Sequence, residues 1–237
     1  MSRSTVTARD ISVRAADGTM LLDGIDLSLS AGEFCILAGR NGAGKTLLAR
    51  CLAGLITPTG GAVDREGPPP ALVFQDTRSQ VLGQTVSDDV AMGPRSAGLS
   101  HAEIEKRVAE ALDRTGLTGM GPRDPFTLSG GEQRRLSIAA MLAMRPSLLI
   151  LDEPFSSLDL DGVRGVLAVL VALHAEGCGV AVITHDLGKL AAHADRLVLL
   201  DRGRVRADGP PGDVLPAVAS CGLRLPPVPI GDMTWLR

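Results

Sequence analysis

The chain has 237 residues, enough for one large or two small domains, and a formal net charge of −3 with a sequence pI near 5.8. This charge gives no electrostatic reason to expect nucleic acid as a partner. The longest uncharged apolar run, Val166 to Leu173, is far shorter than the roughly 18 residues that span a bilayer, and no charged-then-apolar leader opens the chain. We therefore expect a cytosolic protein, whose four scattered cysteines are reduced core residues.

The first part of the chain is predicted to be mainly β-strand. Val6 to Val13 and Leu21 to Leu29 alternate between apolar and polar residues around an Asp17-Gly18 turn. The apolar run Phe34 to Ala38 predicts a buried strand. Residues 57–70 are rich in Pro and Gly and are predicted to break structure.

The rest of the chain alternates helices and strands. The spacing of Ser100 and Glu103, and again of Ser129 and Glu132, predicts capping boxes at two helix N-termini. The other predicted elements are a helix ending near Gly54, a strand Ala71 to Phe74, a strand Leu148 to Leu151, a helix Gly162 to Ala175, a strand Val180 to Thr184, a short helix from Asp186, a hairpin around Asp201 to Arg204 and an irregular tail after Pro226. This order predicts an α/β fold with a mostly parallel sheet, an N-terminal β layer and a helical insert.

A glycine-rich loop follows the strand Phe34 to Ala38 and opens a helix. Its G-x-x-x-x-G-K-[ST] pattern consists of Gly39, Arg40, Asn41, Gly42, Ala43, Gly44, Lys45 and Thr46. Such glycines let backbone N–H groups surround the β- and γ-phosphates, and the helix N-terminus favours the same anion. Lys45 adds a cation, and the Thr46 hydroxyl suits Mg²⁺. A Gly-rich turn with a chance lysine is the alternative; the flanking strand and helix favour a nucleoside triphosphate site.

Two adjacent carboxylates, Asp152 and Glu153, end the strand that begins at Leu148. Adjacent strand residues point opposite ways, but at the carboxyl end of a strand both can reach a phosphate cleft. Asp152 suits the binding of Mg²⁺, and Glu153 suits a general base for the water that attacks the γ-phosphate. Acids end many strands, so this hypothesis depends on the phosphate loop earlier in the chain.

A third motif, Leu128 to Arg135, places Ser129, Gly130 and Gly131 at a helix N-terminus, which is a second anion-binding end. Ser129 and Glu132 could by themselves simply cap a helix. Eight consecutive matches to a known signature make this simpler interpretation the weaker one.

In this order the motifs resemble the nucleotide-binding domain of ABC ATPases over about residues 5–215. The matching features are the phosphate loop, Gln75, Leu128 to Gln133, Asp152-Glu153, Ser156 to Asp159, and His185. The resemblance implies ATP and Mg²⁺ as cofactors, with Glu153, His185 and Lys45 as catalytic residues. It implies Thr46, Gln75 and Asp152 as the metal-binding set. It also implies that two copies pack head-to-tail and enclose two ATP, so that each phosphate loop faces the partner's Ser129 and Gly130. With the phosphate loop, the expected nucleotide-binding residues are Gln75, Ser129, Gly130, Gly131 and Glu132.

A finer resemblance lies in residues 73–80 and 85–94, which are similar to the ATPases of energy-coupling factor importers, the prokaryotic cobalt and vitamin uptake systems. In that family the helix after the Gln loop forms a groove for coupling helices of a membrane partner. Asp76, Asp88 and Asp89 are then candidates to meet basic residues of that partner. Solvated turn and cap acids are the alternative interpretation of the same residues.

The sequence departs from the family pattern in two places. An aromatic residue that stacks on adenine is usual near position 15, where this chain has Ala15, and the segment between Gly61 and Ala71 is short. Arg14 could instead stack on the base through its guanidinium face. Weak discrimination between bases is expected if only stacking and shape hold the base.

We therefore expect a single ABC ATPase domain over 1–237. A RecA-like core would occupy about 1–75 and 146–215, a helical subdomain about 76–145 and a Pro-rich tail about 216–237. The expected protein hydrolyses ATP at the cytoplasmic face of the cell membrane, with a second ATPase subunit (identical or a close paralogue), a transmembrane coupling protein and a substrate-binding membrane subunit. The alternatives are an ATPase of another ABC importer or exporter, and a nucleic-acid-linked ABC ATPase. The latter would need a coiled-coil insertion, zinc cysteines or a basic stripe, and a non-hydrolysing regulator would not need both Glu153 and His185.

Overall fold

The computed structural model describes residues 5–225 and 227–236. In chain order its main elements are β1 (Thr5–Arg14), β2 (Met20–Ser30), β3 (Phe34–Ala38), α1 (Lys45–Leu52), β4 (Gly60–Arg65), β5 (Ala71–Val73), α2 (Val86–Ser96), α3 (His101–Arg114), α4 (Gly130–Leu142), β6 (Leu148–Asp152), α5 (Leu160–Ala175), β7 (Gly179–Thr184), β8 (Arg196–Asp201), β9 (Arg204–Gly209) and α6 (Pro211–Val218). Within these described ranges no helix is both long enough and apolar enough to cross a membrane.

A six-stranded sheet lies at the centre of the fold, in the order β5-β6-β7-β3-β8-β9. Its first five strands are parallel, and β9 is antiparallel to β8 through the predicted hairpin. Every residue of β3, β6 and β7 is buried, because helices or a second sheet cover both faces. The predicted α/β fold with a mostly parallel sheet is confirmed, and the carboxyl ends of β3, β6 and β7 meet at one edge.

The predicted N-terminal layer is an antiparallel sheet in the order β2-β1-β4. Strand β4 corrects the expectation that residues 57–70 break structure, since Val6 to Ser12 of β1 pairs with residues Gly60 to Arg65. None of the six residues of β4 is buried, so its sequence lacks the apolar alternation by which a strand is recognised. Pairing with β1, rather than local pattern, determines this strand.

Alternate residues of β3 divide the core into two apolar clusters. Phe34 and Ile36 pack on the side of the helices α2 to α5, whereas Cys35 and Leu37 pack towards α1 and the antiparallel sheet. All four cysteines are free thiols. Two of them, Cys35 and Cys51, are buried as predicted, but Cys178 and Cys221 are only partly buried. Burial raises the pKa of the Cys35 thiol, which keeps it protonated.

The helices α2, α3 and α4 come between β5 and β6 in the chain, and they pack on one another. At the start of α4, the capping box predicted for Ser129 and Glu132 is present. At α3 only half of the predicted box forms: the Ser100 hydroxyl accepts from the Glu103 N–H at 3.4 Å, but the Glu103 carboxylate accepts instead from Arg107 Nε at 2.8 Å. The i,i+4 arginine therefore competes for the carboxylate.

The described residues after Pro226 are irregular, as predicted, apart from one 3₁₀ turn at Ile230–Asp232; the helix α6 precedes them. Within this tail Met233 is only 3% exposed and belongs to the helix-side core cluster. Pro226 itself lies outside the described residues. The short helix expected from Asp186 is instead two 3₁₀ turns, Leu187–Lys189 and Ala191–His193. The last described residues pack on these two turns.

Candidate functional site

The phosphate loop connects the carboxyl end of β3 to the N-terminus of α1, as predicted. Gly44 caps α1 with φ at 101°, and a Cβ there would lie 2.6 Å from Leu22 Cδ2, so only glycine fits. Gly39 has a different role, because a Cβ at this position would lie 2.5 Å from the Leu200 carbonyl oxygen. The loop is tied to the β8–β9 turn by the Gly203 N–H, which donates to the Ala43 carbonyl at 3.0 Å.

Lys45 is buried at the first position of α1. Its Nζ donates to the carbonyl oxygens of Gly39 at 2.6 Å and Arg40 at 3.1 Å, so the ammonium lies inside the loop. Burial lowers the pKa of Lys45, and the nearby carboxylates Glu153 and Asp152 oppose this change. A phosphate in the loop would offer the ammonium stronger acceptors than two neutral carbonyl groups.

The next residue, Thr46, joins the phosphate loop to the predicted acidic strand end. Its Oγ1 donates to Asp152 Oδ2 at 2.7 Å. Burial raises the pKa of Asp152; the hydrogen bond from Thr46 opposes that change, the charge of Glu153 adds to it, and Lys45 opposes it. Two hard oxygen donors thus lie together beside the phosphate loop, which is the donor chemistry that Mg²⁺ prefers.

The adjacent Glu153 adopts a left-handed backbone conformation, with φ at 46°. This turn breaks the alternation of the strand, which explains how two consecutive carboxylates face one cleft. Glu153 Oε1 lies 2.8 Å from Nδ1 of His185, and Thr184 Oγ1 donates to Glu153 Oε2 at 3.4 Å. The predicted pair of Glu153 and His185 is therefore brought together, at the ends of β6 and the neighbouring β7.

Gln75 follows β5 and lies at the boundary of two cavities, each of which also includes Thr46 and Asp152 in its wall. Arg134 holds the backbone here: its Nη1 donates to the Phe74 carbonyl and its Nη2 to the Gln75 carbonyl, both at 2.7 Å. Arg134 was missed at the level of sequence. No local pattern indicates it, because the buried residues of α4 include the polar Gln133 and Ser137 as well as Leu136 and Ile138.

Of the four signature residues, Ser129, Gly131 and Glu132 line neither cavity that includes Thr46 and Asp152, whereas Gly130 lines one of them. Ser129 N–H donates to Glu132 Oε2 at 2.7 Å, and the Glu132 N–H donates to Ser129 Oγ at 3.3 Å. The hydrogen bond from the Ser129 N–H is the main reason that the pKa of Glu132 lies below its usual range. Ser129, Gly130, Gly131 and Glu132 line a separate cavity of about 490 Å³, together with the Ser157 to Gly162 region. That cavity shares no residue with the cavity around the phosphate loop, but Gly130 also lines a neighbouring cavity of about 840 Å³ that includes Thr46, Gln75 and Asp152.

The cavity around the phosphate loop has a volume of about 590 Å³ and includes neither Ala15 nor Arg14 in its wall. Arg14 Nη1 donates to the Gly18 carbonyl at 3.1 Å, so the structure does not place its guanidinium in the cavity. Instead the wall includes the exposed apolar residues Met20 and Leu21 and, from the β8–β9 turn, Arg202. None of these three residues was predicted to be part of the site. The hairpin around Asp201 to Arg204 was predicted, but its contact with the phosphate loop was not.

The fold, the phosphate loop and the paired carboxylates agree with the comparison of the chain with known families. Residues 22–156 match the family model described as ABC transporter. The chain belongs to the ABC transporter family and is the ATP-hydrolysing subunit of a transporter.

Individual relatives narrow this class. The chain is 41% identical to the energy-coupling factor transporter ATP-binding protein EcfA1 of Symbiobacterium thermophilum, over 90% of this chain and 80% of that protein. It is 39% identical to the cobalt import ATP-binding protein CbiO of Syntrophus aciditrophicus, over 82% of this chain and 74% of that protein. The solved structure of cbiO1 from Clostridium perfringens, part of the ABC transporter complex cbiONQ, superposes with a TM-score of 0.81 at 31% identity, covering 89% of this chain and 90% of that one. The resemblance to energy-coupling factor ATPases is confirmed.

Proposed function

We propose that this ATPase energises an importer of the energy-coupling factor type, for a transition metal ion of the cobalt kind or for a vitamin. The observation that carries the proposal is the identity of 39–41% with EcfA1 and CbiO relatives over most of the chain. The transported substrate would be selected by a substrate-binding membrane subunit. The chain would lie at the cytoplasmic face of the membrane through its partners.

A groove in the helical subdomain supports a membrane partner. It has a volume of about 920 Å³ and lies between α2 and α3, with an apolar lining that includes Ala91, Ile104 and Val108. Arg95 and Glu105 flank this lining with charges of opposite sign. Such a groove suits an amphipathic helix, here a coupling helix of a transmembrane protein.

The three candidate partner acids differ in their availability for such a contact. Asp89 is 6% exposed, and its Oδ1 accepts from the Leu82 and Gly83 N–H groups at 2.7 and 3.0 Å, so it holds its own loop. Asp88 is partly exposed, and its carboxylate pairs with Arg95 at 3.1 Å. Asp76 is exposed and remains available to a basic residue. The docking hypothesis is therefore retained for Asp76 and Asp88 and withdrawn for Asp89.

Two copies, or one copy and a close paralogue, are proposed to form the complete ATP site. Ser129, Gly131 and Glu132 line neither cavity that includes Thr46 and Asp152 of the same chain, which supports this proposal. In a head-to-tail dimer, the N-terminus of α4 would present Ser129 and the backbone of Gly130 and Gly131 to the γ-phosphate of the nucleotide held by the other subunit.

Mg²⁺ fits the oxygen donors at the phosphate loop. Among the described residues no cluster of three or more His, Cys, Asp or Glu side chains could hold a metal alone. This agrees with Mg²⁺, which usually binds through one or two carboxylates and completes its shell with phosphate oxygens and water. Thr46 and Asp152, with Gln75 at the cavity wall, would hold the ion. When bound, it would neutralise charge on the β- and γ-phosphates.

The remaining residues are proposed to carry out hydrolysis. Lys45 would hold the γ-phosphate, and Glu153 would accept a proton from the attacking water through a carboxylate oxygen. His185, whose Nδ1 is 2.8 Å from Glu153 Oε1, would orient that carboxylate and contact the γ-phosphate. The RecA-like core would supply these groups, and the helical subdomain would supply the signature and the partner groove.

Co-expression with the membrane subunits of an energy-coupling factor importer tests the transport proposal. The parent should co-purify with them and support uptake of labelled cobalt or of a labelled vitamin in cells that lack their own system. Ile104→Asp should abolish co-purification, because it places a charge in the apolar groove. Leu55→Asp, at a residue 59% exposed outside the groove, is the matched control and should retain it. Equal co-purification of both variants with the parent would contradict the assignment of the groove.

A further inference from the structure

The last described residues pack on the loop that carries His185. The Ala192 N–H donates to the Met233 carbonyl at 3.2 Å, and the Trp235 N–H donates to the Lys189 carbonyl at 3.2 Å. The two 3₁₀ turns that follow His185 thus share backbone hydrogen bonds with the segment Ile230–Leu236, which is more than forty residues away in sequence. The burial of Met233 in the helix-side core anchors this segment.

Lys189 connects this segment to the neighbour of His185. Its Nζ lies 4.8 Å from the centre of the Trp235 ring, within the range of a cation–π contact, and 3.1 Å from Asp186 Oδ2. The Asp186 N–H in turn donates to Thr184 Oγ1 at 3.0 Å, and Thr184 contacts Glu153. A continuous set of contacts therefore runs from Trp235 to the carboxylate proposed as the general base.

Two further contacts fix the segment from other directions. Arg164 Nε, on α5, donates to the Trp235 carbonyl at 3.0 Å, and His193 Nε2 forms a hydrogen bond with Thr234 Oγ1 at 2.7 Å. The His185 loop itself has only short 3₁₀ turns, which make few hydrogen bonds of their own. Its position relative to β7 therefore depends on what packs against it.

We propose that the segment Ile230–Leu236 holds the His185 loop in its hydrolysis-competent position, with Trp235 and Lys189 as positioning residues. The proposal rests on the proposed roles of His185 and Glu153. Trp235 orients the Lys189 ammonium, Lys189 holds Asp186, and the backbone of Asp186 sets the direction of the adjacent imidazole. Neither Trp235 nor Lys189 lines the phosphate-loop cavity, so they act through the loop and not on ATP.

A double-mutant cycle on the full chain tests this proposal. Trp235→Ala should lower the kcat for ATP about threefold to tenfold, the range of a partly desolvated cation–π contact, with the KM for ATP unchanged within about twofold. Trp235→Phe should restore most of the rate, because it keeps an aromatic face. Val228→Ala is the matched control, since Val228 lies outside the segment and is 42% exposed, against 36% for Trp235, and it should leave the rate unchanged. Circular dichroism would confirm that each variant is folded at the assay temperature.

The background variant His185→Ala separates failure of this proposal from failure of the proposed function. If the segment acts through His185, Trp235→Ala should cost nothing further in that background. Hydrolysis by His185→Ala at the parent rate would mean that the role of His185 is wrong. Two outcomes with an impaired His185→Ala would overturn the positioning role alone. In the first, Trp235→Ala has the kcat of the parent. In the second, Trp235→Ala lowers kcat by the same factor in the parent and in the His185→Ala background.

Fluorescence supplies an independent measurement in the parent protein. Trp235 is the only tryptophan and the chain has no tyrosine, so intrinsic emission excited at the indole band reports on this contact. Addition of Mg²⁺ and ATP should shift the emission in the parent, and Lys189→Met should remove that shift while Lys189→Arg retains it. Identical emission changes in the parent and Lys189→Met would contradict the coupling.

Discussion

Arg134 offers a direct test of how the signature helix α4 controls the Gln75 loop. Its side chain is 4% exposed, and both of its terminal nitrogens donate to backbone carbonyls, those of Phe74 and Gln75, at 2.7 Å. Burial lowers the pKa of Arg134, and the charges of Asp152 and Asp76 oppose this change, so the guanidinium stays protonated. The substitution Arg134→Met removes both hydrogen bonds while retaining most of the volume.

The cost can be worked out from these contacts. Each hydrogen bond from a charged donor contributes about 1.5–3 kcal/mol, and the two carbonyls lose their donors. Removing the buried cation also relieves its desolvation, which offsets part of the loss. We therefore expect the free energy of unfolding to fall by about 2–4 kcal/mol. The free energy of unfolding of Arg134→Lys should lie between those of the parent and Arg134→Met, because an ammonium lacks the planar fork that reaches both carbonyls.

The assay pairs urea unfolding with steady-state ATP hydrolysis. Arg134→Met should lower kcat, because the Gln75 backbone is no longer held, and should change ATP affinity little, because Lys45 is untouched. Arg9→Met is the control: Arg9 pairs with Asp64 at 3.0 Å on the exposed surface, and its loss should cost less than about 1 kcal/mol. If Arg134→Met had the same free energy of unfolding and the same kcat as Arg9→Met, the proposed role of Arg134 in holding the Gln75 backbone would be refuted.

Three further predictions concern assembly, base selection and pH. With hydrolysis blocked, Mg²⁺ and ATP should convert monomers or weak dimers into a tighter dimer, and equal sedimentation with and without nucleotide at micromolar protein would count against the head-to-tail dimer. ATP and GTP should compete nearly equally, since the apolar Met20 and Leu21 would hold the base by contact and shape alone; a strong preference for ATP in competition binding would show that a polar residue of the wall, such as Thr19 or Arg202, reads the base. Asp152→Asn should raise the free energy of unfolding at neutral pH, because a carboxyl with a raised pKa destabilises the fold when ionised. This gain should shrink as the pH falls towards the ordinary pKa of aspartate, and urea unfolding of both proteins across that range measures it; a gain that is constant with pH would contradict the assigned cause.

The features that could be predicted from the sequence are those written in local residue patterns. The glycines of the phosphate loop and the two acids at the end of β6 are consecutive in the sequence, so both motifs can be recognised without knowledge of the rest of the chain. The strand–helix alternation likewise gave the parallel sheet, and the spacing of Ser129 and Glu132 gave the start of α4. The resemblance to a known family then placed Gln75 and His185 in the same site.

The features that were missed depend on contacts between distant segments. Strand β4 has a polar sequence and exists because it pairs with β1. The buried Arg134 is identifiable only once α4 packs beside the Gln75 loop, and Asp89 is a loop-holding residue only because Leu82 and Gly83 fold over it. The prolines predict the irregular tail but not that its Met233 packs in the core. Tertiary packing overrides local propensity in each of these cases.

Glu153→Gln, examined beside Lys45→Ala, tests the central claim most directly. Single-turnover hydrolysis and equilibrium ATP binding would be measured for both variants and the parent. Glu153→Gln keeps the shape of the site but loses the proton acceptor, so it should bind ATP normally and hydrolyse it about 10²–10⁴ times more slowly. Lys45→Ala should lose binding and turnover together, because the ammonium holds the γ-phosphate. Hydrolysis by Glu153→Gln at the parent rate would show that Glu153 is not the general base and would contradict the assignment of the site.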